Sequence, residues 1–259
     1  MVIKIQSYSI SSKAKLQHAS FQIIQKKSIL LLQNMIYCCK TEGRKTMKRI
    51  LCFGDSNTWG YTPGTSRRLS ENERWTCLVQ KELGEGYTVV EEGLNGRNTV
   101  FEEAGFLCGI RDVVSCLMTN KPIDAVVLML GTNDLRFTDA AGAVNGVRRI
   151  IEEMHRAVTE EWTSSPVFTS DPMRILLVSP IHAHPILNTR EPGDYHIGYP
   201  EKTLQFAKQY RELANEKGCA FLDAALYAQP SEIDGLHMRP EDHPVFAKAV
   251  AQAVREMVG

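Results

Sequence analysis

The chain has 259 residues, 43% of them hydrophobic, with 30 Lys and Arg set against 30 Asp and Glu. That is enough apolar matter for one large domain with a buried core, and the mildly acidic balance of the chain beyond residue 46 argues against nucleic acid as a partner. Seven cysteines, at positions 38, 39, 52, 77, 108, 116 and 219, are odd in number and lack paired spacing. Neither a disulfide framework nor a zinc site is expected from them, and a reducing, cytoplasmic setting fits.

Charge is uneven along the chain. Residues 1–46 hold seven Lys and Arg44 against Glu42 alone, a net of +7, which leaves a mildly acidic −7 for the remainder. The one apolar run in this stretch, Ser28 to Cys39, is broken by Gln33 and Asn34 and is too short and too polar to span a bilayer. No small-residue cleavage site follows it, so a secretory signal is a poor fit. We read residues 1–46 as a disordered leader or as an extension upstream of the true start at Met47, with an organelle transit peptide as the alternative. Residues 47–259 then form the one folded domain.

From there short apolar runs alternate with helical stretches. Arg49 to Phe53 reads as a strand that breaks into Gly54-Asp55-Ser56 at the entrance of a helix, where backbone N–H groups lack intrahelical partners and suit a nucleophile whose reaction forms an oxyanion. A loop, Tyr61 to Arg74, leads to a helix over Trp75 to Leu83. A second strand, Tyr87 to Glu91, ends in Gly93-Leu94-Asn95-Gly96-Arg97, where Gly96 can bring its N–H close to a substrate with no Cβ in the way. A helix over Phe106 to Met118 precedes a third strand, Ala125 to Leu130. Gly131-Thr132-Asn133-Asp134 follows directly; the Asn133 amide can donate to an oxyanion and cannot ionise.

A long helix, Ala140 to Trp162, is joined by the polar stretch Thr163 to Pro172 to a fourth strand, Arg174 to Ser179. The loop His182 to Pro200 holds His182, His184, His196, Tyr195 and Tyr199, but His-Ala-His is not a helical ligand pair and no acid is spaced to complete a metal shell. A helix over Glu201 to Lys217 and a strand at Ala220 to Leu222 follow. Asp234-Gly235-Leu236-His237 then leads into a closing helix, Pro240 to Met257. Asp and His three apart at a helix entrance share a face, so the carboxylate can hold the imidazole Nδ1–H and leave Nε2 free for the Ser56 proton. Near-continuous Val, Ile and Leu runs between helices point to a parallel sheet buried on both faces, with functional loops at the strands' carboxyl ends.

Taken singly each block has a plain reading, since Asp-Gly and Gly-Asp-Ser are common turns. Four of them in this order resemble the SGNH hydrolases of the GDSL type, and most of all their arylesterase and acyltransferase branch, over nearly everything from Met47 onward. The wider segments Gly54 to Tyr61, Arg74 to Leu83, Glu91 to Thr99 and Leu128 to Asp134 share the likeness. The resemblance implies a three-layer α/β/α fold with a five-stranded parallel sheet, flavodoxin-like. It implies Ser56 as nucleophile, His237 with Asp234 as base pair, the Ser56 N–H, Gly96 and Asn133 as oxyanion donors, and no cofactor or metal. Asn57 stands where the family name has leucine; it alters neither donor nor nucleophile, so it bears on pocket shape more than on mechanism.

The expected activity is hydrolysis of small acyl esters by a serine esterase. Acyl transfer, carbohydrate deacetylation and acyl-CoA thioester cleavage share the same machinery, and a catalytically silent binding module is the reading from another class. Gly-x-Ser-x-Gly is absent around Ser56, which argues against an α/β-hydrolase. Trp59, Arg97, His182, His184 and Tyr195 are the candidate substrate contacts, with a buried aromatic and a structural ion pair as the plainer readings of Trp59 and Arg97. The partner is a small-molecule ester, and a homo-oligomer is left open because no interface is readable in one sequence.

Overall fold

Aliphatic runs without polar alternation give a strand no wet face, and in the computed structural model each run becomes a strand of one parallel sheet. Residues 47–102, 107–159 and 165–259 are described; the leader expected over residues 1–46 falls outside them. The strands are β1 (Lys48–Gly54), β2 (Tyr87–Gly93), β3 (Ala125–Met129), β4 (Ile175–Ser179) and β5 (Ala220–Asp223), in the order β2-β1-β3-β4-β5. The purely aliphatic β3 and β4 are buried throughout, as is β1 from Ile50 onward. The more polar β2 and β5 take the two edges and are half-buried along their length. The described helices are α1 (Ser56–Trp59), α2 (Trp75–Leu83), α3 (Gly109–Asn120), α4 (Ala140–Thr159), α5 (Tyr199–Thr203), α6 (Phe206–Lys217) and α7 (His243–Val258).

Alternate residues of the sheet face two separate cores. Leu51, Phe53, Val126, Leu128, Ile175 and Leu177 pack with residues of α3, α4 and α6. Ile50, Cys52, Val127, Met129, Leu176 and Val178 pack with Trp75 and Val79 of α2 and with Phe246, Val250 and Val254 of α7. Each large aliphatic side chain fully removed from water contributes about 1.5–3 kcal/mol, so the two layers hold the sheet rigid beneath its loops.

Register then decides what the loops can do. Gly54, the last residue of β1, pairs with Gly93 of β2 on one side and Met129 of β3 on the other. The chain leaves β1 for β2 in one direction and reaches β3 in the other, which opens a crevice at the carboxyl ends of these strands. The loops carrying Ser56, Gly96 and Asn133 therefore emerge side by side.

Three helices differ from expectation. The helix expected from Phe106 starts at Gly109, because the Gly109 N–H donates to Asn98 O and a bridge pairs Asn98 with Cys108, holding the chain extended; Phe106 itself lies outside the described residues, as does the expected end of α4 at Trp162. The helix expected over Glu201 to Lys217 is two, α5 and α6, with the break beside Thr203, whose hydroxyl accepts the Ala183 N–H and donates to Pro200 O. The closing helix is preceded by a 3₁₀ turn, Pro240–Asp242, and restarts at His243 with Pro244 in its first turn, where a missing N–H costs nothing.

Candidate active site

Asp55 sits at the entrance of α1, and its Oδ1 accepts the Asn57 N–H at 2.9 Å, which leaves Ser56 as the first helical residue. The helix is a single turn, so what faces an oxyanion here is the Ser56 N–H itself and not the dipole of a long helix. Ser56 Oγ lies 2.9 Å from His237 Nε2, and His237 Nδ1 lies 2.8 Å from Asp234 Oδ2. Burial alone raises the Asp234 carboxyl; the His237 ring and the N–H groups of His237 and Leu236 outweigh it and hold the group near about 2. An ionised carboxylate only accepts, so the imidazole proton belongs on Nδ1 and Nε2 presents its lone pair to the Ser56 hydroxyl.

The base pair is built differently from the expected helix face. Asp234 and His237 belong to a turn five residues ahead of α7, with Gly235 at φ 78°. Asp234 Oδ1 accepts the N–H groups of Leu236 (3.1 Å) and His237 (3.0 Å), closing the turn by its own side chain, while Oδ2 also accepts the Gly64 N–H at 3.2 Å. A short Asp side chain satisfying its own turn brings residues i and i+3 together as a helix does.

The N–H groups of Ser56 and Gly96 have no acceptor among the described residues. Gly96 is required for a reason other than space, since a Cβ there would meet nothing within 4 Å; its φ of 77° is the left-handed backbone that glycine adopts without strain. Asn133 Nδ2 donates to Arg97 O at 3.0 Å, which fixes the amide plane and leaves the second amide hydrogen for the site. Asp134 accepts the Thr99 N–H and hydroxyl, so it ties the Gly96 loop to the Asn133 turn instead of serving its own turn.

Asp134 is fully buried, and burial above all, with the Asp55 charge behind it, raises its carboxyl to about 7 against the Thr99 bonds. A carboxylate whose folded pKa lies above its unfolded value of about 3.9 stabilises the fold at low pH and loses that contribution as pH rises through about 7. The fall in Tm between pH 5 and pH 8 should therefore be smaller in Asp134→Asn than in the wild type. An equal or larger fall would assign the pH dependence elsewhere.

Tyr61 stacks on His237, ring centroids 4.1 Å apart and planes at 23°. Nothing in its sequence context marks it, because the contact joins residues far apart in the chain. Arg97 is a correction: it is 3% exposed, its guanidinium donates to Gly54 O, Glu92 O and Asp112, and it lies over the Phe53 ring. It clasps the ends of β1 and β2, which is the structural role the sequence offered as its plainer reading. Trp75, whose indole donates to Asn57 O, is core.

Of the other candidate contacts, Trp59 is the last residue of α1 and the rest lie in the loop after β4. Trp59 is half-buried under the Arg68 guanidinium. His182 is half-buried past β4. His184 Nδ1 accepts the Ile186 N–H, and its own N–H donates to Gly235 O. Half-exposed Tyr195 packs at a tilt against His196 and lies under Arg136, while Arg190 donates to Asp234 O. The loop from His182 to Pro200 thus leans on the base turn through His184 and Arg190. Among the described residues no group of three or more His, Cys, Asp or Glu could hold a metal, and no helix is long and apolar enough to cross a membrane.

The model of the GDSL-like lipase/acylhydrolase family matches residues 52–244. The chain belongs to that family. The native aryl esterase of M. smegmatis is 30% identical to this GDSL-like hydrolase, with a TM-score of 0.71 over 81% of this chain and 99% of that one. A carbohydrate acetylesterase family member from Sinorhizobium meliloti is 34% identical (TM-score 0.69; 82% and 100% covered). Est24, a carbohydrate acetylesterase from the same organism, is 27% identical (TM-score 0.71; 81% and 99%). No match was found among curated proteins. The GDSL-like hydrolase is an enzyme of esterase and acylhydrolase type.

Proposed function

We propose that this enzyme hydrolyses short-chain carboxylic esters through an acyl-enzyme formed on Ser56. The observation that carries the reading is the unbroken line from Asp234 Oδ2 through the His237 ring to Ser56 Oγ, at 2.8 Å and 2.9 Å. Ser56 Oγ bonds to the ester carbon as His237 Nε2 takes its proton, and the carbonyl pair moves onto oxygen. The N–H groups of Ser56 and Gly96 and the Asn133 amide meet that oxyanion. As the carbon–oxygen bond breaks, His237 returns the proton to the leaving alcohol. Water then repeats the sequence in reverse, releasing the acid and restoring Ser56.

Short acyl groups are favoured by the company the chain keeps: the similar proteins are an aryl esterase and carbohydrate acetylesterases. The test is a panel of nitrophenyl esters from acetyl to octanoyl, an acetylated sugar and acetyl-CoA. Turnover of the acetyl ester is expected, with kcat/KM falling at least about tenfold, or about 1.4 kcal/mol in the transition state, by octanoyl. Preference for acetyl-CoA over both oxygen esters would replace the esterase reading with a thioesterase. Ester product exceeding acid when an alcohol is added would replace it with a transferase.

A further inference from the structure

We propose that Asn57 is a positioning residue for His237, gripping the backbone on both sides of the base from the same one-turn helix that carries the nucleophile. Asn57 Oδ1 accepts the Met238 N–H at 2.8 Å, and Asn57 Nδ2 donates to Leu236 O at 3.3 Å. These are the residues immediately after and immediately before His237. Two bonds at i−1 and i+1 leave the intervening residue little room to shift or rotate. The proposal rests on the reading of His237 as general base.

The arrangement suits an amide and little else. Asparagine carries a donor and an acceptor on one planar group, aspartate would offer only acceptors, and leucine would leave the N–H and C=O it now serves without partners. Asn57 is itself held on every side: it is 6% exposed, its N–H donates to Asp55 and its carbonyl accepts the Trp75 indole N–H. Met238 is sealed in the core beside α2 and α7, and Leu236 packs against the opposite core. His237 therefore hangs between two anchored neighbours, and the anchor is one residue from Ser56. Any shift of α1 carries nucleophile and base together, which preserves the 2.9 Å gap between groups 181 positions apart. The departure from leucine at this position thus bears on catalytic geometry more than on pocket shape.

The experiment compares Asn57→Leu and Asn57→Ala with the wild type and with His237→Ala on nitrophenyl acetate, together with thermal melts and the low-field proton resonance of the His237 Nδ1–H. Both Asn57 variants are expected to lose kcat on the order of 10²-fold, the usual cost of about 1 Å of misplacement, with KM within about threefold. The low-field resonance should broaden or vanish while the melt stays cooperative. If Asn57→Leu fails to fold, Asn57→Ala, which only truncates, carries the same comparison. A folded Asn57 variant that keeps kcat within about threefold, or that loses activity through KM alone, overturns the proposal when His237→Ala is inactive. If His237→Ala itself stays active, the base assignment falls first and the proposal with it.

Discussion

Ser56→Ala and His237→Ala are each expected to lower kcat by about 10⁴ to 10⁶, and the double variant should fall no further than the worse of the two. The reason is geometric. The Ser56 hydroxyl is a weak nucleophile until Nε2, 2.9 Å away, takes its proton, and that imidazole has no other acid to serve once Ser56 is gone. Groups that act as one unit fail as one unit, so the losses do not add. KM should change little, because neither side chain is needed to bind the ground-state ester. What activity remains is the share supplied by the oxyanion donors and by binding. Steady-state kinetics on nitrophenyl acetate check this, and losses that multiply in the double variant would mean that the two residues act in separate steps.

Asn133→Ala is expected to lower kcat on the order of 10² to 10³-fold with KM nearly unchanged, the usual cost of one oxyanion donor. The amide also donates to Arg97 O, so the substitution removes an anchor of the turn along with the donor. A melt measured beside the kinetics separates the two: loss of kcat in a protein with wild-type Tm belongs to the transition state. A rise in KM alone would make Asn133 a ground-state contact instead.

Much of this was legible in the chain because strand runs and glycine turns are local signals. Each apolar run that ends in Gly-Asp-Ser, Gly-Leu-Asn-Gly or Gly-Thr-Asn-Asp ends at the carboxyl edge of the sheet, and the parallel topology follows from the helices between them. What the chain does not announce is what crosses it. The Asn57 clamp, the Tyr61 stack and the Gly64 bond to Asp234 join residues 170 or more positions apart, and no periodicity encodes them. Arg97 shows the same limit in reverse: beside the glycine proposed as an oxyanion donor, a buried guanidinium serving strand-end carbonyls looks in sequence like one awaiting an anion. The Asp234–His237 spacing misleads for a different reason, because an i,i+3 contact is common to a helix and to a side-chain-closed turn. Gly235, at φ 78°, held the clue that the turn was the one chosen.

The central claim is that Ser56 is a nucleophile activated by the His237–Asp234 pair. The most direct measurement is peptide mass mapping after reaction with a dialkyl nitrophenyl phosphate, in the wild type and in His237→Ala. A single dialkylphosphoryl group on Ser56 of the wild type, formed far more slowly or not at all without His237, is the predicted result. A label on any other residue, or equal labelling of Ser56 with and without His237, would contradict it.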